Sequence, residues 1–220
     1  MSNTENNSGW RAVLTHGVIY KLVQFVFSEK KSKALILDDF VIPAGQDCSL
    51  LDMGCGPGNL RKFLPDTIDY TGFDLSADYI ELAKNKYRDS AAQSRFLCGS
   101  AAEFMDSDLI SDNTIDVVVI HGVLHHVPDT VVEEMFSLAR KKLKVGGRMV
   151  VLEPVWFENQ SPLRRWVMQR DRGNNIKVDH QWVKLFTRLS EDWAEIDTKI
   201  EQNLIRFYDL IVLSLTKTGS

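Results

Sequence analysis

Leu50-Leu51-Asp52-Met53-Gly54-Cys55-Gly56-Pro57-Gly58-Asn59 is the stretch on which the fold turns. A short apolar run, residues 48–53, ends in three closely spaced glycines, the pattern of a buried strand that turns sharply at its carboxyl end. Glycines in that place let a ligand approach the backbone and the amides that open a following helix, expected over residues 57–64. Outward from this turn, strands and helices alternate. Residues 70–75 read as a second strand, and Ser76 caps a helix to about Arg88 with Ile80, Ala83 and Tyr87 on one face. Residues 94–98 form a third strand. Residues 115–123 are a nearly continuous apolar run of the kind buried on both faces of a parallel sheet. A helix over 131–143, stopped by Gly146-Gly147, leads to a fifth strand at 148–152. A helix at about 181–189 precedes two alternating strands, 194–201 and 208–217, that form an antiparallel hairpin. The order predicts an α/β protein: an open, mostly parallel sheet covered on both faces by helices.

Two acidic residues narrow the ligand. Asp52 stands two positions before Gly54, where a carboxylate would repel the pyrophosphate of a dinucleotide and attract an ammonium group. Asn59 occupies the third-glycine position of the dinucleotide fingerprint. Asp74, twenty residues after Gly54, suits a ribose-hydroxyl acceptor. A ribose and a cationic amino acid together describe S-adenosylmethionine better than a nicotinamide dinucleotide.

The segments LDMGCGPGN, GFDLS, CGSAAEF, IDVVVIHGVLHHVPD and LKVGGRMVVLEP resemble, in the correct order, five motifs of the class I S-adenosylmethionine-dependent methyltransferases. The resemblance runs from about residue 48 to the C-terminus. It implies a Rossmann-like, doubly wound sheet of seven strands in the order 3-2-1-4-5-7-6 with the last strand antiparallel. It also implies S-adenosylmethionine as cofactor, with Asp52, Gly54, Gly56, Gly58, Asp74, Leu75, Ser100, Ala101 and His121 around it. Ser100 stands where the family often presents Asp to adenine, which implies a softer contact there.

His121, His125 and His126 follow the fourth strand, at the edge where open α/β sheets bind ligands. Without a matching carboxylate or cysteine set they do not read as metal ligands, and His125 is the candidate general base. The chain divides into a disordered tail (1–8) and a single domain (9–220), with an N-terminal helical cover (9–42) and a cap insertion (154–180). Tyr20 in the cover and Arg170 in the cap are candidate substrate contacts, and the basic cap suits an anionic or sugar-like acceptor.

Composition limits the alternatives. The chain has 220 residues, 44% hydrophobic and 25% charged, with 26 basic against 30 acidic side chains and a net charge of −4. That balance has no general pull on nucleic acid, and the Asn/Asp-Pro-Pro-Tyr signature of base-amino methylation is absent after the fourth strand. The polar start is no secretion signal, and no apolar run reaches the ~20 residues that span a bilayer. Three cysteines (Cys48, Cys55, Cys98) read as reduced thiols, so a cytoplasmic location without membrane insertion is expected. The expected function is methyl transfer to an oxygen or nitrogen of a small-molecule acceptor. The alternative is a non-catalytic S-adenosylmethionine-binding scaffold or sensor. The sequence does not specify an oligomeric state.

Overall fold

The sheet is built around the fourth strand, as its unbroken apolar run requires. The structure, a computed structural model, describes residues 47–90, 93–169, 175–205 and 208–219. The expected tail, the helical cover with Tyr20, and Arg170 lie outside the described residues.

The strands are β1 (Ser49–Met53), β2 (Asp69–Asp74), β3 (Ser94–Cys98), β4 (Ile115–His121), β5 (Leu143–Trp156), β6 (Lys177–Val178), β7 (Ala194–Ile205) and β8 (Tyr208–Lys217). Their order is β3-β2-β1-β4-β5-β8-β7, with β8 antiparallel to both β5 and β7 and the rest of the path parallel. This is the expected order, with one addition. The two-residue β6 pairs with the extension of β5 at Val155 and Trp156 and makes an eighth strand. The helices are α1 (Ala77–Lys86), α2 (Ala101–Met105), α3 (Asp129–Lys142), α4 (Pro162–Met168) and α5 (Asp179–Ser190).

Two apolar layers hold the sheet between them. On one face Val132, Met135, Phe136 and Ala139 of α3 meet Trp182, Leu185 and Phe186 of α5 over Leu51, Val118, Ile120 and Val151. Phe186 stacks between Phe136 and Trp182, at ring separations of 5.5 and 5.2 Å. On the other face Leu50, Tyr70, Phe96, Val117, Val119, Val150 and Val212 pack with Leu60, Leu64, Ile80 and Ala83. Burying each such large side chain stabilises the fold by about 1.5–3 kcal/mol.

Two local expectations are corrected. Residues 57–64 do not form an α-helix; turns lead to a single 3-10 turn, Arg61–Phe63. Pro65 pushes Leu64 to an extended conformation (ψ 144°), and the buried Arg61 guanidinium donates to the Leu64 and Pro65 carbonyls, ending the helix after one turn. Nor do Gly146-Gly147 stop α3. That helix ends at Lys142, and β5 begins at once, with Gly146 (φ 79°) taking up a register shift against β4. Lys217 Nζ donates to the carbonyls of Arg140 and Leu143, so a lysine from β8 does the work expected of a glycine cap.

The stretch expected as a cap is tied to the rest of the chain on both sides of residues 170–174. Arg164 of α4 meets the buried Asp209 of β8 at 2.6 Å, and Gln160 donates to the same carboxylate at 2.9 Å. On the return, Asn175 donates through its backbone to the His125 carbonyl and through its side chain to the Val127 carbonyl.

Candidate cofactor and methyl-transfer site

The glycine turn sits between the carboxyl ends of β1, β2 and β4. Gly54, Gly56 and Gly58 all have positive φ, at 77°, 52° and 71°. Their hydrogen bonds identify what the turn can hold. The amides of Gly54 and Cys55 both donate to the Phe73 carbonyl, Gly58 donates to the Cys55 carbonyl, and Gly56 donates to Asp74 Oδ2 at 2.9 Å. Pro57 has no N–H, so every backbone donor from Gly54 to Gly58 is engaged within the protein. A pyrophosphate finds no amide cradle here.

What the turn offers instead is negative charge. Asp52, at the end of β1, is buried, accepts a 2.6 Å hydrogen bond from the Tyr70 hydroxyl, and is pushed up to about 7 by desolvation. Asp74, at the end of β2, accepts from Gly56 and from Ser76 (2.8 Å), and burial raises its carboxyl above the ordinary range. Carboxylates raised in this way gain from a cation or from hydroxyl donors beside them. Between them Gly56 opens onto space, since a Cβ there would meet nothing within 4 Å. The donor set therefore fits a ligand that joins a cationic amino acid to a ribose.

The residues expected at the adenine edge lie at the ends of β2 and β3. Asp74 pairs with Cys98 across β2 and β3, and the Gly99 amide donates to the Asp74 carbonyl, so Leu75 and Ser100 each follow a paired strand end. Leu75 is exposed and Ala101 buried. The Ser100 hydroxyl has another task. It caps α2 by accepting from the Glu103 amide, while the Glu103 carboxylate takes the Ser100 amide at 2.6 Å and the hydroxyl proton at 2.9 Å.

The third part of the site was not expected. Glu153 of β5 is fully buried and faces the turn after β4. Its carboxylate accepts from the amides of Val123 (2.9 Å), Leu124 (2.8 Å) and His125 (3.3 Å), and lies 2.6 Å from His125 Nδ1. Burial raises this carboxyl, but His125 and the amides outweigh it, and the pKa falls below the usual 4.5. An ionised carboxylate only accepts, so Nδ1 carries the proton and donates it. His125 is buried beneath the turn, with His126 3.9 Å away ring to ring. His121 ends β4, and burial pushes its imidazole down to about 4, so it is neutral near pH 7. The two turns are in contact, because a Cβ on Gly54 would lie 2.6 Å from Val123 Cγ2.

Of the basic groups in the cap, Arg164 is held by Asp209, and Lys177 pairs with Asp129 at 2.9 Å with its ammonium over the Trp182 ring. Cys55 is buried against Gly72, its thiol pushed well up by burial, and is a packing residue.

The chain is similar to known methyltransferases in sequence and in fold. Residues 50–147 match the model of a methyltransferase domain family. Demethylmenaquinone methyltransferase of Lactococcus lactis is 27% identical over 191 residues, covering 78% of this chain and 69% of that protein. Phosphoethanolamine N-methyltransferase of Triticum aestivum is 28% identical over 145 residues, covering 62% of this chain but only 26% of that protein. A Haemonchus contortus phosphoethanolamine N-methyltransferase, solved with phosphomonomethylethanolamine and S-adenosylhomocysteine, shares the fold. Its TM-score is 0.66 at 17% identity, over 86% of this chain and 53% of that one. The family match spans the glycine turn, both carboxylates and the turn after β4. Residues 50–147 thus form a methyltransferase domain of the class I S-adenosylmethionine-dependent kind, whose cofactor is S-adenosylmethionine.

Proposed function

We propose that the chain transfers a methyl group to an oxygen or nitrogen of a small-molecule acceptor, with His125 as the base and Glu153 as the residue that positions it. The observation carrying this reading is the buried Glu153–His125 pair at the edge shared by β4 and β5, next to the glycine turn. Bound S-adenosylmethionine supplies an electrophilic methyl group on its sulfonium. Asp52 receives the ammonium of its amino acid, Asp74 the ribose hydroxyls, and Leu75, Ser100, Ala101 and the His121 backbone flank the rest. With Nδ1 donating to Glu153, Nε2 takes the acceptor's proton as the acceptor attacks. The cap, tied down through Asp209 and Asn175, helps to exclude water from the edge. Arg164 and Lys177 are engaged by carboxylates, so Arg170 is the cap residue proposed to meet an anionic or sugar-like acceptor. Three reduced thiols support a cytoplasmic location.

The direct test is acceptor-dependent formation of S-adenosylhomocysteine, followed by mass spectrometry across a panel of phenols, sugars and amines. Binding of cofactor without turnover on any acceptor would favour a scaffold. His125→Ala should lower kcat by about 100-fold while S-adenosylhomocysteine binds nearly as in wild type; equal rates in the two proteins rule out the base role. Asp74→Ala should weaken cofactor binding by about 1–3 kcal/mol, the loss of a hydrogen bond to a charged group. Unchanged affinity by calorimetry removes Asp74 from the site.

A further inference from the structure

Behind the glycine turn, on the face away from α3 and α5, three aromatic rings stand in a row. Phe96 of β3 lies between Tyr70 of β2 and Tyr87 at the end of α1, 5.5 Å from each. Both tyrosine hydroxyls reach the turn. Tyr87 donates to the Gly58 carbonyl and Tyr70 to Asp52, each at 2.6 Å. Tyr70 is fully buried, and its hydroxyl and the Cys55 side chain both crowd Gly72, where a Cβ would lie 2.9 and 2.8 Å from them.

We propose that Tyr70 is a positioning residue of the cofactor site, its hydroxyl holding the Asp52 carboxylate in the charged state that receives the cofactor's ammonium group. This rests on the cofactor contacts proposed above. The surroundings of Asp52 work against ionisation. Desolvation by burial is the main cause, and Asp74 at the end of β2 is a second carboxyl; the Cys55 thiol and the Tyr87 phenol nearby are neutral where Asp52 titrates. On the opposite flank β4 presents Val119. Arg61, the cation near Tyr87, is directed to Ser94, Leu64 and Pro65. The Tyr70 hydrogen bond acts in the other direction and favours the carboxylate.

The consequence is a proton linkage. An ammonium group binds the ionised carboxylate, so below the Asp52 pKa binding must expel a proton. For wild type, affinity for S-adenosylhomocysteine should be level above about pH 7 and fall about tenfold per pH unit below it. Tyr70→Phe removes the donor, raises the carboxyl further and moves the break to higher pH. At pH 7 the variant should bind about tenfold more weakly, converging on wild type as the pH rises.

The experiment is calorimetry on the full chain between about pH 5.5 and 8.5, with S-adenosylhomocysteine and with 5′-methylthioadenosine, which has the nucleoside but no amino acid. The expected result is a shifted break for Tyr70→Phe, no break for Asp52→Asn, and no break for 5′-methylthioadenosine. Tyr70→Phe and wild-type profiles that coincide or run parallel overturn the proposal, as does a break retained in Asp52→Asn. If Tyr70→Phe does not fold, the Asp52→Asn profile and the 5′-methylthioadenosine control still decide it. No heat from wild type with S-adenosylhomocysteine at any pH overturns the cofactor reading itself, a distinct failure.

Discussion

Glu153→Ala should lose about 3–5 kcal/mol of folding stability, because it breaks a buried pair and leaves the other partners without their acceptor. It should abolish methyl transfer as well. Three consecutive amides and the His125 ring converge on this one carboxylate. Without it they lie inside the protein beside an apolar methyl, and the turn after β4 must open to reach water. Urea denaturation of wild type and variant measures the difference. A loss below about 1 kcal/mol would show that the carboxylate does not organise the turn. The effect carries a pH signature. The folded-state pKa of Glu153 is depressed, so its contribution is complete above the ordinary value of 4.5 and fades as the pH falls through the lowered one. The wild-type advantage over Glu153→Ala should therefore hold at neutral pH and shrink in acid.

Gly54→Ala should be the second most damaging change. The residue has φ 77°, where a Cβ costs about 1–2 kcal/mol. That Cβ would also press on Val123 at 2.6 and 2.9 Å, and crowding of this kind adds about 1–3 kcal/mol. The obstacle is a stiff β-branched side chain on the turn that Glu153 holds, so the neighbour cannot swing away. The variant should bind S-adenosylhomocysteine weakly or not at all, even below its melting temperature. Cofactor affinity equal to wild type would show that the two turns are not in rigid contact.

Much of this site was legible in the sequence. Asp52, the glycines and Asp74 lie at strand ends that a run of Leu, Val and Phe makes hard to misplace, and the third strand was expected at its observed bounds. What escaped notice depends on contacts distant in sequence. The Lys217 cap on α3 and the Asp209 tie on the cap join residues separated by 77 and 45 positions, and no local pattern announces them. Two other features did leave a local trace. Ser100-Ala-Ala-Glu103 is a capping box in plain view, and it gives the serine hydroxyl a duty in its own helix. A lone Glu after Val150-Val151-Leu152, inside a strand destined for burial, signals a carboxylate with an obligatory partner. The partner became evident only when β4 and β5 lay side by side.

The placement of β8 bears on how the chain is made. It lies between β5 and β7, so β5 pairs with a strand that leaves the ribosome more than fifty residues later. During that interval the nascent protein displays a naked margin at Val150, Val151 and Leu152, a template for pairing with other chains. Newly synthesised molecules are thus most dependent on chaperones in the short window before residues 208–217 arrive to seal that margin.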